Sequence, residues 1–160
     1  MRITTQPLLV TLLVWSALLS AGCSSVREPR FETVGVREVE RSDTRMVYAF
    51  LVKATNPNKA SIPLREVTYT VTLDNTHKFS GVRSPESTLH TYAEHIFELP
   101  AVFEIAPADL SGIVEYKLNG SVKYLKPGKL FESMFESKLI VPKAEFHLRG
   151  QVNVDGFDQE

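Results

Sequence analysis

A strict two-residue alternation from Val67 to Leu73 is the feature that most limits what this chain can fold into. Successive side chains of a strand point to opposite faces, so this pattern predicts a strand with one buried and one wetted face. The uncharged run Met46 to Val52 is rich in β-branched and aromatic residues. That composition predicts a second strand, covered on both faces and central in its sheet.

The tripeptide Asn56-Pro57-Asn58 lies between these two predicted strands. Pro57 has no N–H to donate to a ladder, and it disfavours the helical region for Asn56. Asparagine side chains accept local backbone hydrogen bonds and enter the left-handed region at little cost. We therefore interpret Asn56, Pro57 and Asn58 as a structural turn motif and not as a ligand site.

The apolar run into Asn56-Pro57-Asn58 is followed along the chain by a further series of motifs, which are Ile62-Pro63-Leu64, Val67, Tyr69, Gly81, Leu99-Pro100-Ala101-Val102 and Asp109-Leu110. In this order the motifs resemble the group 2 late embryogenesis abundant (LEA type 2) family, also called the water stress and hypersensitive response (WHy) domain. The resemblance covers about residues 31 to 154. It implies an immunoglobulin-like or fibronectin-III-like fold, no catalytic residues, and protection of proteins or membranes under water stress by contact.

Further short strands and turns extend this pattern over the rest of the chain. Asp74-Asn75 predicts a turn, and the alternation of Leu89 to Leu99 predicts a strand, which Pro100 places at an edge or a bulge. Asn119-Gly120 between two strand-like runs predicts a type I′ hairpin. The expected fold is an all-β antiparallel sandwich of about seven to eight strands, with one short helix before the last strand.

The last strand is predicted from Leu139 to Val154, with Gly150 marking a bulge or bend. The helix before it is predicted from apolar residues at helical spacing. Those residues cap one open end of the sandwich, or they form a contact patch facing a lipid, a peptide or a partner. The residues concerned are Leu130, Phe131, Met134 and Phe135.

The amino terminus has the pattern of a secretory signal. An apolar segment from Pro7 to Leu19 follows Arg2 and precedes Ser20-Ala21-Gly22-Cys23. A spanning helix needs about 20 apolar residues, so this shorter run indicates a signal core and not a permanent anchor. Small residues before the lone cysteine resemble the lipobox of bacterial lipoproteins, although Ser20 stands where leucine is usual. Residues 1–22 are the predicted signal peptide.

Cleavage before Cys23 would leave that residue at the new amino terminus with lipid on its sulfur and its amine. Two or more acyl chains anchor a protein stably, at about 0.8 kcal/mol per buried methylene. The lipid on Cys23 is therefore the predicted membrane contact. Residues 23–30 are the predicted tether and 31–160 the sandwich domain. In Gram-negative lipoproteins, which this amino terminus resembles, an aspartate after the cysteine commonly marks inner-membrane retention. Ser24 stands at that position here, so the resemblance implies the periplasmic face of the outer membrane.

Composition and motifs argue against most kinds of chemistry. A net charge of −1 means that the chain has no excess of basic side chains with which to bind nucleic acid. A single cysteine and no paired-histidine motif argue against a zinc site, and His90 and His95 are expected on opposite faces of one strand. We find no nucleophile elbow and no phosphate loop. The prediction is a protein that is not an enzyme and has no catalytic, cofactor or metal residues.

Two functional hypotheses follow, and the fold alone does not choose between them. The first is a lipid-anchored envelope protein that protects other molecules under desiccation or osmotic stress. The second is a binding or assembly module that docks a protein partner of an envelope complex. An exposed apolar surface at Leu130 to Phe135 would favour docking, and the sequence leaves the oligomeric state open.

Overall fold

The computed structural model describes residues 26–106, 109–138 and 141–155, with the side chains of 129–132 outside the description. The predicted signal peptide, residues 1–22, and the first three residues of the predicted tether 23–30 lie outside these ranges. Within these ranges the chain forms eight strands and one short helix, α1, just before the last strand. Their bounds are β1 Arg30–Ser42, β2 Arg45–Thr55, β3 Ile62–Leu73, β4 His77–Arg83, β5 Thr88–Leu89, β6 Glu94–Phe103, β7 Ile113–Tyr124, α1 Lys129–Glu136 and β8 Lys143–Asn153.

The strands form two antiparallel sheets that enclose one apolar core. The smaller sheet has the order β1-β2-β6, and the larger has the order β4-β3-β7-β8, with β5 paired to the start of β3. Their facing side chains form a single buried cluster. The predicted all-β sandwich of seven to eight strands, with a helix before the last one, is confirmed.

Strand β2 occupies the centre of the smaller sheet, as its uncharged sequence predicted. It pairs with β1 on one side and with β6 on the other, and Tyr48, Phe50 and Val52 are fully buried. Pro100 lies on β6 opposite Ala49, at the outer position of the strand order in the described part of this sheet. An edge position tolerates the missing N–H, so the prediction for Pro100 is confirmed.

The turn predicted at Asp74-Asn75 is confirmed, and it joins β3 to β4. Asp74 and Asn75 have positive φ angles of 48° and 57°, and the Thr76 N–H donates to the Leu73 carbonyl. Consecutive positive φ angles are the conformation that hairpin turns of type I′ require, and Asp and Asn adopt it more readily than most residues.

The hairpin predicted at Asn119-Gly120 is wrong. Both residues lie in the middle of β7, where they pair with His147 and Phe146 on one side and with Thr70 and Tyr69 on the other. Two ladders hold this segment extended, and that outweighs the local turn preference. Gly120 serves packing instead, because a Cβ there would lie 2.4 Å from Cζ of Phe146.

Two further local predictions are wrong. Leu89 to Leu99 is not one strand, because residues 90–93 form a turn between β5 and β6, with Tyr92 at a φ of 53°. Gly150 is not at a bulge, because β7 and β8 pair without a register shift. A Cβ at Gly150 would lie 2.4 Å from the Tyr116 hydroxyl oxygen and 2.6 Å from Cζ of its ring, so glycine there leaves room for a cross-strand aromatic side chain. The last strand begins at Lys143, after Pro142.

The two open ends of the sandwich differ in what they carry. At one end, which we call the tether end, β1 and β8 begin, β7 finishes, and the corner 56–61 connects β2 to β3. Helix α1, which connects β7 to β8, therefore belongs to the tether end. The opposite end, the distal end, carries the turns 43–44 and 74–76 and the end of β8.

Candidate functional site

The tether end is organised by Asn56, the only buried polar residue in the described ranges, with 1% of its surface exposed. Its Nδ2 donates to the carbonyls of Ala60, Leu89 and His90 at 2.8, 3.1 and 2.9 Å. Its Oδ1 accepts from the backbone N–H and the side-chain amide of Asn58. An amide offers two N–H groups and two oxygen lone pairs, so the three carbonyls share its two N–H groups, and both lone pairs are used as well.

These bonds connect the two sheets at the corner. Asn56 follows β2 of the smaller sheet, whereas Leu89 is in β5, which pairs with β3 of the larger sheet. The Asn56 N–H also donates to the carbonyl of Ala93 at 3.0 Å. The corner side chain therefore stabilises the turn 90–93 as well as its own loop, and no donor of its amide remains for a ligand.

The second asparagine of the motif binds the incoming chain. The Arg27 N–H donates to Oδ1 of Asn58, and Nδ2 of Asn58 donates to the Arg27 carbonyl, both at 2.8 Å. This reciprocal pair has the pattern of one step of a β-ladder. Val26 packs against the core beside it, and Pro29 is buried. The chain is thus attached to the tether end from Val26 onward, before β1 begins.

Tyr92 is the large exposed side chain of this end, with 60% of its surface accessible. Its N–H donates to the Asn58 carbonyl at 3.2 Å, and the hydroxyl of Thr91 donates to the carbonyl of Lys59. Tyr92, Val26, Pro57 and Lys59 line part of one open recess. Sequence patterns did not indicate this grouping, because the turn interrupts an alternation that predicted a continuous strand.

Helix α1 is also at the tether end. Met134 and Phe135 are half-buried, whereas the side chains of Leu130 and Phe131 lie outside the description. The hydroxyl of Ser137 donates to the Ser133 and Met134 carbonyls and closes the last turn. The choice between a core cap and a contact patch at these four apolar residues stays a prediction.

Ion pairs cover the outer surface of the smaller sheet. Nζ of Lys53 lies 2.5 Å from Oε1 of Glu32 and 3.4 Å from Oε2 of Glu94, so it connects all three strands. The hydrogen bond to Glu32 raises the pKa of the Lys53 ammonium. Arg37 forms a pair with Glu98 at 3.1 Å. Exposed pairs of this kind contribute little stability individually, and their main effect is a charged, hydrated surface.

The histidines do not come together. His147 contacts Oδ1 of Asn119 at 2.9 Å on the larger sheet, while His77 is at the distal end. His90 is in the turn and His95 is in β6, so the expectation that they share a strand is wrong. Within the described ranges, no three His, Cys, Asp or Glu side chains are grouped so that they could hold a metal ion.

The predicted lipidation residue, Cys23, lies outside the described residues. Among the helices that are described, none is both long enough and apolar enough to cross a bilayer. The anchor at Cys23 therefore stays a prediction from sequence.

Comparisons with known proteins give a likeness of fold. No protein-family model matches the chain, and no curated protein sequence matches it. The solution structure of a late embryogenesis abundant (LEA) protein, At2g46140.1, superposes with a TM-score of 0.57 at 14% identity, covering 91% of this chain and 82% of the other.

Two other solved structures share the architecture. The solution structure of AT1g01470 from Arabidopsis thaliana superposes with a TM-score of 0.56 at 15% identity, covering 81% of this chain and 83% of that one. A crystal structure of a protein from Archaeoglobus fulgidus has a TM-score of 0.50 at 12% identity, covering 78% and 97%. The fold that the corner motif implied is thus the fold of a solved LEA protein.

Proposed function

We propose that this chain is a non-enzymatic, lipid-anchored envelope protein that protects other molecules during drying or osmotic stress by surface contact. Its fold is that of a solved LEA protein, which supports the connection to stress. A signal-like segment ending at Cys23 supports the anchor. The proposed location is the periplasmic face of the outer membrane, and no cofactor is involved.

The observation that carries this proposal is the distribution of polar groups. In the described ranges the sole buried polar residue is Asn56, and its amide is fully used within the corner. The interior is otherwise apolar, apart from the hydroxyls of buried tyrosines such as Tyr69, which donates to the Pro100 carbonyl. We therefore assign the proposed protective activity to the surface, where ion pairs such as Lys53 with Glu32 hold a hydrated, charged layer. Such a layer can separate drying proteins or membranes without turnover.

The test in cells compares a deletion strain with a Cys23→Ala strain. The deletion is expected to lower survival of desiccation and osmotic shock. Cys23→Ala is expected to move the protein from the membrane fraction to the soluble fraction and to lower survival as well. Full survival of the deletion strain, together with recovery of one stoichiometric envelope partner, would contradict protection and support docking.

A second test measures protection directly. A drying-sensitive dehydrogenase is dried and rehydrated with the protein, with an equal mass of albumin, or with buffer. Retained activity above the albumin control is expected, since the folded surface and not mere protein mass gives the effect. Equal retention with albumin would count against a specific protective surface.

A docking function is the second candidate, favoured by exposed apolar side chains on the edge strand β6. Ile96 and Val102 are 52% and 38% exposed on the outer face of the smaller sheet. If a partner binds there, Ile96→Glu with Val102→Glu abolishes its capture from envelope extracts. Ile113→Glu, at a residue 70% exposed on the larger sheet, is the matched control and leaves capture unchanged.

A further inference from the structure

We propose that the tether end of the sandwich is a membrane-contact surface, which places the strands upright on the bilayer and the distal end away from it. This inference rests on the proposed lipid anchor at Cys23 and deepens it. It assigns the corner 56–60, the turn 90–93 and helix α1 to one bilayer-facing surface. The occupant of this surface is the lipid leaflet that holds the acyl chains.

The chain between the predicted anchor and the fold is short. Only Ser24 and Ser25 separate Cys23 from Val26, which packs against the core. Three extended residue steps span at most about 10 Å. The Asn58 bonds to Arg27 hold the next residue at the corner. A lipid on Cys23 therefore keeps the tether end close to the headgroups.

The distal end lies far from the tether end. Strand β2, with 11 residues, connects the two ends of the sandwich. A strand rises by about 3.3 Å per residue, so the distal turn 43–44 is about 35 Å from the corner. A tether of at most about 10 Å from Val26 therefore keeps the anchored cysteine about 25 Å or more from that turn, and the tether end is the end nearest the lipid.

The surface of the tether end carries side chains that suit a membrane interface. Tyr92 is mostly exposed, and aromatic residues with a polar tip are favoured at membrane–water interfaces. Helix α1 is amphipathic in sequence, with half-buried Met134 and Phe135. An amphipathic helix with an apolar side suits the headgroup boundary. Tyr92 thus presents an interfacial side chain at the end to which the tether is attached, and helix α1 adds two half-buried apolar side chains at the same end.

Charged side chains are distributed differently at the two ends of the sandwich. The distal loops in the described ranges carry five exposed acidic residues and no basic ones: Asp43, Asp74, Glu104, Asp109 and Asp155. The basic side chains beside these loops lie in the strands, where Arg45 pairs with Glu40 and Lys117 donates to Asn75. The tether end is balanced, with Arg27, Lys59, Lys126 and Lys138 against Glu28, Glu86 and Glu136. An anionic leaflet repels the first set and tolerates the second. Electrostatics therefore favours the same orientation as the tether.

The test uses tryptophan as a depth probe. Trp15, the single tryptophan of the sequence, is in the predicted signal peptide and leaves with it. Tyr92→Trp introduces a unique probe at the tether end, and Thr44→Trp is the matched control in an exposed distal turn. Each protein is purified from membranes and reconstituted in vesicles of phosphatidylethanolamine and phosphatidylglycerol that contain spin-labelled lipid. Melting temperatures equal to that of the parent protein check both folds.

Loss of most tryptophan emission at position 92, with unchanged emission at position 44, is the expected result. Equal quenching at both positions in an acylated protein would overturn the orientation and leave the anchor intact. Mass spectrometry of the Cys23 peptide from the same samples separates the two claims. A chain without acyl groups on Cys23 would overturn the anchor, and this membrane surface with it.

Discussion

The ring of Phe146 lies over Gly120 on the neighbouring strand, so close that a Cβ on the glycine would be 2.4 Å from Cζ of the ring. The same Cβ would be 2.8 Å from the carbonyl oxygen of Thr68 on the other side. The phenyl ring of Phe146 is buried and packs against Phe31 across the two sheets. The space at Gly120 thus lets an aromatic ring connect β8 to β1.

Gly120→Ala is therefore expected to destabilise the fold, because both the ring and a backbone carbonyl block the new methyl group. Overpacking of this kind costs about 1–3 kcal/mol in the free energy of unfolding. Chemical denaturation followed by circular dichroism measures the loss. Ser121→Ala, on the opposite face of the same strand, is the control and should change stability by less than about 0.5 kcal/mol. A stable Gly120→Ala protein would contradict the close packing.

Asn56 is expected to be the most sensitive polar position of the corner. Asn56→Ala leaves the carbonyls of Ala60, Leu89 and His90 without their donor, of which the Leu89 contact is buried. Each unsatisfied buried group costs about 1–3 kcal/mol, so a loss at or above the upper end of that range is expected. Denaturation midpoints check this. Thr91→Ala removes one exposed hydrogen bond of the same turn and should have a much smaller effect.

Asn58→Ala is expected to release the amino-terminal segment while the core stays intact. The substitution removes both exposed bonds to Arg27 and the bond from the Asn58 side-chain amide to Oδ1 of Asn56, each of which contributes about 0.5–1.5 kcal/mol at most. Oδ1 of Asn56 keeps the backbone N–H of residue 58 as a donor. Trypsin cleavage after Arg27 should therefore become faster, and the melting temperature should fall only slightly. Timed digestion with mass spectrometry measures the rate. Cleavage at the parental rate would show that Val26 and Pro29 hold this segment without Asn58.

The sandwich was predictable from sequence because burial repeats every two residues along β2 and β3, and that period is independent of distant partners. The glycines at 120 and 150 were misassigned for the opposite reason. Each glycine leaves room for an aromatic ring of an adjacent strand, Phe146 at Gly120 and Tyr116 at Gly150. No residue near either glycine in the sequence indicates this contact. Local turn preference was then the only visible signal, and two β-ladders outweigh it.

The tether end was predictable only in part. Asn56-Pro57-Asn58 indicated a turn, but the partners of its side chains lie 31 to 34 positions away at Arg27, Leu89 and His90. Hydrogen bonds between a side chain and a backbone group that far away produce no periodic pattern in the amino-acid sequence. The grouping of Tyr92, helix α1 and the docked Val26 at one end depends on strand directions, which became visible only with the topology.

Alkaline pH is expected to unfold the protein through its buried tyrosines. Burial raises the pKa of Tyr48, Tyr69, Tyr116 and Tyr124 above the ordinary value of 10.0. The unfolded chain therefore releases these protons at lower pH than the folded chain does. Stability from this source is fully present below about pH 10 and falls as the pH rises through the folded values.

The measurement is a paired titration of tyrosinate absorbance and far-ultraviolet circular dichroism above pH 9. Ionisation of the four buried tyrosines should coincide with loss of the β-sheet signal, since each phenolate must leave the core to be hydrated. Tyr116→Phe keeps the ring beside Phe50 and removes one ionisable group, so its unfolding should shift to higher pH. Ionisation of all tyrosines with the β-sheet signal intact would contradict their burial.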